Sequence, residues 1–101
     1  MTDTWPFDQP RNCATVTTKF VIENNRPVTF VSHDEDDHGW QFHSDDEATM
    51  DDAMLVSLES IVALDRSLLD VADLQPGWIA SRSSANAEWI RRENIETDAE
   101  T

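Results

Sequence analysis

The sequence predicts an α+β domain in which a small antiparallel sheet, a meander of about three to five strands, packs one face against one main helical segment. Two observations favour this fold class. Residues 14–44 contain short runs of β-branched or alternating apolar residues, which are typical of strands. Between residues 54 and 72 the apolar residues recur at a spacing close to 3.6, which is typical of a helix with one apolar stripe. The apolar stripe of the helix and the apolar face of the sheet can each be buried against the other, so the two segments are expected to pack together.

Three strands are predicted in the first half of the chain. Residues 14–23 (ATVTTKFVIE) form the first. Residues 28–33 (VTFVSH) return antiparallel to it after the turn sequence NNRP at 24–27, in which asparagine tolerates positive φ and proline fixes its own. Residues 40–44 (WQFHS) alternate apolar and polar side chains, as a half-buried third strand does, so Trp40 is expected on the core side.

The helical segment has recognisable boundaries. Ser57 is a suitable N-cap for a helix over about 58–64. Asp65 interrupts the apolar stripe, and it is a suitable N-cap for a second, shorter helical turn over about 66–71. The sequence QPG then ends the helical segment and turns the chain. A last strand is predicted over residues 78–82.

The prediction divides the chain into three parts. Residues 1–13 form an extended lead-in, residues 14–92 form a single domain, and residues 93–101 form an acidic flexible tail. The one cysteine, Cys13, excludes an intrachain disulfide, and no apolar run reaches the roughly 20 residues of a membrane-spanning helix. The N-terminal sequence lacks the basic start and the apolar stretch of a secretion signal. These features predict a cytoplasmic protein.

Charge is the most unusual property of the sequence. Twenty-one Asp and Glu residues face seven Lys and Arg residues, for a formal net charge of -14. This balance argues against nucleic acid, whose phosphates require a basic face, and against anionic membrane surfaces. It suits a basic protein partner, which opposite charge would steer into encounter. An acidic surface also serves solubility or adaptation to a salt-rich host, so a protein with no dedicated partner is the alternative interpretation.

Two acidic loops form the candidate partner-binding surface. If residues 40–44 are one strand, the loops leave its opposite ends, about 17 Å apart. Like charges held this densely repel one another, and a cationic partner would relieve the repulsion. A partly exposed aromatic side chain would add apolar contact. The candidate residues are Asp34, Glu35, Asp36 and Asp37 in the first loop, Asp45, Asp46 and Glu47 in the second, and Trp40 or Trp78 as the aromatic contact.

A divalent-metal site is a weaker alternative. His33, His38 and His43 recur every five residues near Asp36, and such side chains are ligands for zinc or similar ions. A five-residue spacing, however, does not bring three side chains together on one strand or one helix. The segment 34–45 also fails as a calcium-binding EF-hand loop, because His38 stands where that motif needs an oxygen ligand.

Catalytic chemistry has no signature in this sequence. Cys13 has no sequence context of a catalytic thiol, and no serine lies in a G-x-S-x-G elbow. Two glycines in the whole chain leave no Gly-rich phosphate loop. Carboxylates are abundant, but their abundance singles none out as an acid or a base. We therefore predict no enzymatic activity, no catalytic residue and no cofactor.

The order of segments resembles a known family. The resemblance is carried by TTKFVIENNRPVTFVSH at 17–33, by GWQFHS at 39–44 with the following DDE, and by SLESIVALDRSLLDVADLQPGW at 57–78. These segments resemble the bacterial immunity protein 33-like family, which is built on a domain of unknown function. The resemblance implies an α+β domain that protects a bacterium by binding a toxin, and it assigns no role to any single residue. Toxins that attack nucleic acids carry basic clefts, which acidic loops would occupy in place of phosphates.

Overall fold

The structure of the chain, a computed structural model, describes residues 5–94 and confirms an α+β fold with one sheet. In chain order the elements are β1 (Ala14–Thr18), α1 (Lys19–Glu23), β2 (Phe30–His33), β3 (Trp40–His43), a 3-10 helix (Met50–Asp52), β4 (Ala53–Ser57), α2 (Leu58–Leu64), a second 3-10 helix (Arg66–Val71), β5 (Trp78–Ser81) and β6 (Ile90–Glu93). Within the described residues the sheet is mixed, and its strand order is β4-β1-β3-β2-β5-β6.

The first predicted strand, residues 14–23, is wrong in its second half. β1 stops at Thr18, and Lys19–Glu23 form the short helix α1. The helix turns Val21 into the core, where only 1% of it is exposed. Burial of one apolar face therefore overrides the strand preference of a β-branched run. Asn25 then adopts a left-handed φ of 57°, which asparagine tolerates in a turn.

The antiparallel meander is also wrong. β1 lies parallel to β3, with Val16 opposite Gln41, and antiparallel to β4, so β1 and β2 do not form a hairpin. β2 pairs antiparallel with β3 and with β5, which confirms the second half of the meander and the last predicted strand. The chain between the parallel neighbours β1 and β3 contains α1 and β2, and this long connection is what a parallel pair needs in place of a tight turn. The sheet also has six strands in the described part of the chain, more than the three to five expected.

β4 is a strand that the sequence does not predict. It continues directly into α2, so its apolar side chains merge with the helical stripe and hide the change of period. A capping box between Thr49 and Asp52 begins the 3-10 helix before it. Ser57 ends the strand and caps α2 by accepting a hydrogen bond from the Ser60 amide. The predicted helix over 58–64 and its cap are therefore confirmed.

The helices and the N-terminal segment contribute to one core against the sheet. Asp65 caps the second 3-10 helix as predicted, by accepting a hydrogen bond from the Ser67 amide. Trp40 and Phe42 point to this side of β3, and both are almost fully buried. Phe7 packs edge-on against Trp40, with ring centroids 5.0 Å apart. The helical segments add Val21, Leu58, Ile61, Leu68 and Val71 to the same core.

The ends of the chain fall partly outside this description. The predicted tail over 93–101 begins too early, because Glu93 is the last residue of β6. The rest of that tail, apart from Asn94, lies outside the described residues, as do residues 1–4 of the predicted lead-in. No helix between residues 5 and 94 has the length and apolar character needed to cross a membrane.

Candidate partner-binding site

The first acidic loop is a tight connection between β2 and β3. The Asp34 amide donates to the Gly39 carbonyl at 2.8 Å, which closes the loop. Asp37 accepts a hydrogen bond from the Gly39 amide through Oδ1, also at 2.8 Å. His38 adopts a left-handed φ of 58°, which lets the chain reverse before β3 begins. Four consecutive carboxylates are thus presented on a short turn at the end of a hairpin.

Asp34 is held by its polar neighbours, whereas Glu35 and Asp36 are exposed. Oδ2 of Asp34 accepts a hydrogen bond from Nε2 of Gln41 at 2.9 Å, and Oδ1 accepts one from the Ser32 hydroxyl at 3.3 Å. None of the four acids at 34–37 forms an ion pair with a basic side chain among residues 5–94. The negative charge of this loop is therefore uncompensated within that part of the chain.

A cleft of about 500 Å³ lies beside the first acidic loop. Gly77 belongs to its wall with a φ of 88°, a conformation that a side chain would strain. The Gly77 amide donates to the His33 carbonyl at 2.7 Å. A Cβ on Gly77 would lie 3.5 Å from Oε1 of Glu35, so the start of β5 runs close under the loop. The cleft is lined by His33, Asp34, Glu35, Asp36, Asp37, Gln41, Gly77 and Asn94.

In the second acidic loop, which follows β3, two of the three acids share ion pairs with one arginine. Nε of Arg26 donates to Oδ2 of Asp46 at 2.9 Å, and Nη2 donates to Oδ1 of Asp45 at 3.1 Å. The Ser44 hydroxyl also donates to Asp46, at 2.7 Å. The Ser44 bond is the largest cause that lowers the pKa of Asp46, and the Arg26 bond is the next. Two predicted partner-binding residues, Asp45 and Asp46, thus share one cation, whereas Glu47 is exposed and has no ion pair among residues 5–94.

Trp40 is not available as an aromatic contact for a partner. It is 1% exposed and stacks on His33, with centroids 4.0 Å apart and an interplanar angle of 15°. Its Nε1 donates to Oδ1 of Asp8 at 3.0 Å. The prediction is wrong because Trp40 occupies an inward position of a central strand. Trp78, opposite His33 on β5, is only partly buried against the core, so it stays the aromatic candidate next to Gly77.

His33 is a buried histidine that joins the hairpin to two other segments. Its Nδ1 lies 2.6 Å from the Leu74 carbonyl and is therefore the donor in that bond. Its Nε2 lies 3.0 Å from Oδ2 of Asp8, an ion-pair distance, although the angle is too poor for a hydrogen bond. His33 is accordingly a structural contact for the N-terminal segment.

The histidines do not form a metal site with Asp36. The His33 and His38 rings stand edge to face with centroids 6.1 Å apart. His43 points to the opposite side of the sheet, where its Nε2 lies 3.1 Å from Oε1 of Gln41. Within residues 5–94 no group of three or more His, Cys, Asp or Glu side chains is placed to hold a metal ion. The geometry therefore gives no support to the metal alternative.

Three residues of the cleft are missing from the sequence-based candidates. Gln41 stands at an outward position of β3, but its bond to Asp34 depends on how the loop closes. Gly77 is recognisable as a turn residue, yet only the pairing of β2 with β5 brings it to the acidic loop. Asn94 follows β6, a strand that the sequence does not predict.

Comparison with known proteins gives no relative from which a function could be inferred. No protein-family model matches the chain, no curated protein matches it, and no solved structure matches it. The resemblance to the immunity protein 33-like family therefore rests on the sequence segments alone.

Proposed function

We propose that the chain binds a basic protein through the first acidic loop, residues 34–37, and that this partner is a toxin whose cationic surface the loop covers. The proposal rests on the observation that the carboxylates of this loop are not ion-paired. Four adjacent carboxylates beside a cleft of about 500 Å³ have no ion pair within residues 5–94. Arginine and lysine side chains form charge-assisted hydrogen bonds with such carboxylates, and these bonds are about twice as strong as neutral ones.

The carboxylates of this loop differ in how firmly they are held, which suits the binding of a cation. Asp34 is oriented by Gln41 and Ser32, and it still has acceptor capacity, because an ionised carboxylate offers about four lone-pair sites. Glu35 and Asp36 are exposed and accept no hydrogen bond from the rest of the described chain. A planar guanidinium that enters the cleft would meet one fixed carboxylate and two adaptable ones.

Affinity at this loop has to come from several contacts together. A single exposed ion pair contributes about 0–1 kcal/mol, and salt screens it. Several carboxylates on one turn add up, and partial exposure of Trp78 offers apolar contact nearby. The net charge of -14 further speeds encounter with a cationic partner. Binding is therefore expected to be strongly salt-dependent.

The immunity role is supported by the resemblance and by the charge. A toxin that attacks nucleic acid needs a basic cleft for phosphates, and an acidic loop on a small domain would compete for that cleft. Such protection requires the cytoplasmic location that the sequence predicts. We expect the gene to lie next to a reading frame for a basic, toxin-like protein. An isolated gene would contradict the immunity role but not the binding of a cation.

The binding proposal is tested with two variants of equal charge. The first, Glu35→Gln/Asp36→Asn/Asp37→Asn, removes three charges from the first loop. The second, Asp45→Asn/Asp46→Asn/Glu47→Gln, removes three charges from the second loop. Calorimetry with a synthetic arginine–glycine peptide at low and at physiological ionic strength measures the affinity. We expect the first variant to bind at least about tenfold more weakly, and the second to lose about threefold or less.

Two outcomes would contradict the proposal. Equal losses in the two variants would mean that only the overall charge matters, as in a protein whose acidity serves solubility. An affinity that does not respond to salt would remove the electrostatic mechanism.

A further inference from the structure

The two edges of the sheet differ in chemistry. Among the described residues β6 forms one edge, and beside the exposed Ile90 it carries Arg91, Arg92 and Glu93, the kind of charged side chains that discourage an added strand. β4 forms the other edge, and its sequence AMLVS carries no charge. Leu55 at its centre is 72% exposed, and Met50 shortly before it is 89% exposed. β4 thus lacks the usual protection of an edge strand.

Among the described residues, the pairing of β4 with β1 shows which backbone groups of β4 have no partner strand. The Leu58 amide donates to the Cys13 carbonyl at 2.8 Å, and the same register sets Thr15 opposite Val56. Hydrogen-bonded pairs alternate along an antiparallel ladder. Val56 therefore directs its N–H and C=O towards β1, whereas Leu55 directs its own towards the open edge. A new strand would find its main-chain partners there.

We propose that β4 is a docking edge for an extended segment of another protein, with apolar or β-branched residues at its centre and lysine or arginine at its ends. Main-chain hydrogen bonds to Leu55 would supply affinity, as in other cases of strand addition. An apolar residue opposite Leu55 would cover its exposed side chain on the same face of the sheet. The segment would extend the sheet beyond β4 without displacing any described element.

The charges at the two ends of β4 select a basic segment rather than a second copy of this chain. Asp51, just before β4, is exposed, and Glu59, just after it, is exposed as well. Arg11 lies 3.7 Å from Glu59, which leaves that carboxylate only loosely paired. Two copies paired symmetrically about Leu55 would bring the Asp51 end of each β4 towards the Glu59 end of the other, and these like charges would repel one another. Each copy would also bring a net charge of -14.

This docking edge is distinct from the acidic loop at 34–37. The loop joins β2 to β3, and β1 lies between β3 and β4, so the two surfaces are on different strands of the sheet and share no residue. A change at Leu55 leaves the charges of the loop intact, and neutralisation of the loop leaves β4 intact. The two proposals therefore fail independently.

The test uses a short synthetic peptide of alternating valine and threonine with two lysines at each end. Its control peptide has glutamates in place of the lysines. Amide hydrogen exchange of the whole chain, with and without peptide, reports which N–H groups gain protection. We expect the Leu55 amide to become at least about tenfold more protected with the lysine peptide, and to change little with the glutamate peptide.

Two variants of one residue separate the backbone from the side chain. Leu55→Pro removes the outward N–H without removing a hydrogen bond to β1, and proline is tolerated on edge strands. Leu55→Thr keeps the N–H. We expect the lysine peptide to bind the threonine variant within about threefold of the natural chain, and the proline variant at least about tenfold more weakly. Circular dichroism confirms that both variants fold.

Three results would overturn the proposal. The first is a lysine peptide that leaves the Leu55 amide unprotected. The second is equal protection by the glutamate peptide, which would remove the charge argument. The third is a concentration-dependent dimer that protects Leu55 without any peptide, because a second copy would then be the natural occupant.

Discussion

The two acidic loops have almost the same composition, but they differ in whether their carboxylates form ion pairs. Residues 34–37 carry four acids and residues 45–47 carry three, and the loops leave opposite ends of β3. Arg26, in the turn before β2, forms ion pairs with both Asp45 and Asp46. No basic side chain among residues 5–94 reaches the first loop in that way. Net charge therefore does not measure the charge that is available to a partner.

The supports of the two loops differ as well. The first loop closes a hairpin whose strands are buried, with Trp40 and His33 stacked beneath it. The second loop is held at the surface, because Arg26 is 45% exposed and Asp45 is 62% exposed. We expect the first loop to keep its shape when surface charges change, and the second loop to depend on them. Four substitutions or titrations, taken from the largest expected effect to the smallest, test this comparison.

Truncation of Trp40 should cause the largest loss of stability. Trp40→Ala removes a 1% exposed indole and its bond to Asp8, and a buried aromatic truncation typically costs about 3–5 kcal/mol in the free energy of unfolding. Trp78→Ala on β5 is the matched control, and it should cost less because Trp78 is only partly buried. Urea denaturation measures both. A smaller loss at Trp40 than at Trp78 would mean that the first loop does not rest on a buried support.

Substitution of Gly77 should distort the cleft of the first loop. Gly77→Ala forces a side chain into a φ of 88°, which costs about 1–2 kcal/mol. Gly77→Asn should cost less, because asparagine tolerates the left-handed region. Thermal melting ranks the two variants. An alanine variant as stable as the asparagine variant would show that backbone strain at this position does not matter.

Mild acid should weaken the fold through His43, the last residue of β3, which is linked to Asp34 of the first loop by way of Gln41. Burial lowers the pKa of His43 below its usual 6.5, and the charge of Asp34 partly offsets the shift. The unfolded chain then binds the proton more readily, so this contribution is complete above pH 6.5 and declines as pH falls below it. His43→Gln should flatten the melting temperature between pH 7 and the lowered pKa. A decline of equal steepness in the variant would contradict the assignment to His43.

Stronger acid should act on the second loop, with the smallest effect of the four. The pKa of Asp46 is lowered from 3.8, so its bonds to Ser44 and Arg26 stabilise the fold above that value and are lost as pH falls through the lowered pKa. Asp46→Asn and Arg26→Gln should each reduce the acid-induced drop in melting temperature below about pH 4. A drop that stays as large in both variants as in the natural chain would place the acid-sensitive group elsewhere.

Local signals in the sequence predict the elements with strong caps and leave the pairing of strands open. Ser57 and Asp65 mark their helical turns correctly because each side chain bonds to the backbone two or three residues away. Residues 19–23 are wrongly predicted as a strand. Their β-branched residues favour a strand, but burial of Val21 in the core favours the helix that forms. The parallel pairing of β1 with β3 depends on contacts distant in sequence, so no local pattern reports it.

The candidate site divides in the same way. The acidic residues of the first loop are evident from the sequence alone, as is their position at a hairpin end. That Arg26 pairs with Asp45 and Asp46 could not be predicted, because the contact depends on the turn at 24–27 facing the end of β3. The burial of Trp40 follows from strand alternation, but the stack with His33 requires the correct register.

The most direct test of the central claim compares both loops in one sample. Carboxyl carbon resonances of all Asp and Glu side chains are followed by NMR while the arginine–glycine peptide is added. Our account predicts saturable shifts for Glu35 and Asp36 and small shifts for Asp45 and Asp46, whose charges Arg26 already pairs. Equal shifts across the acidic residues, or larger ones in the second loop, would contradict it.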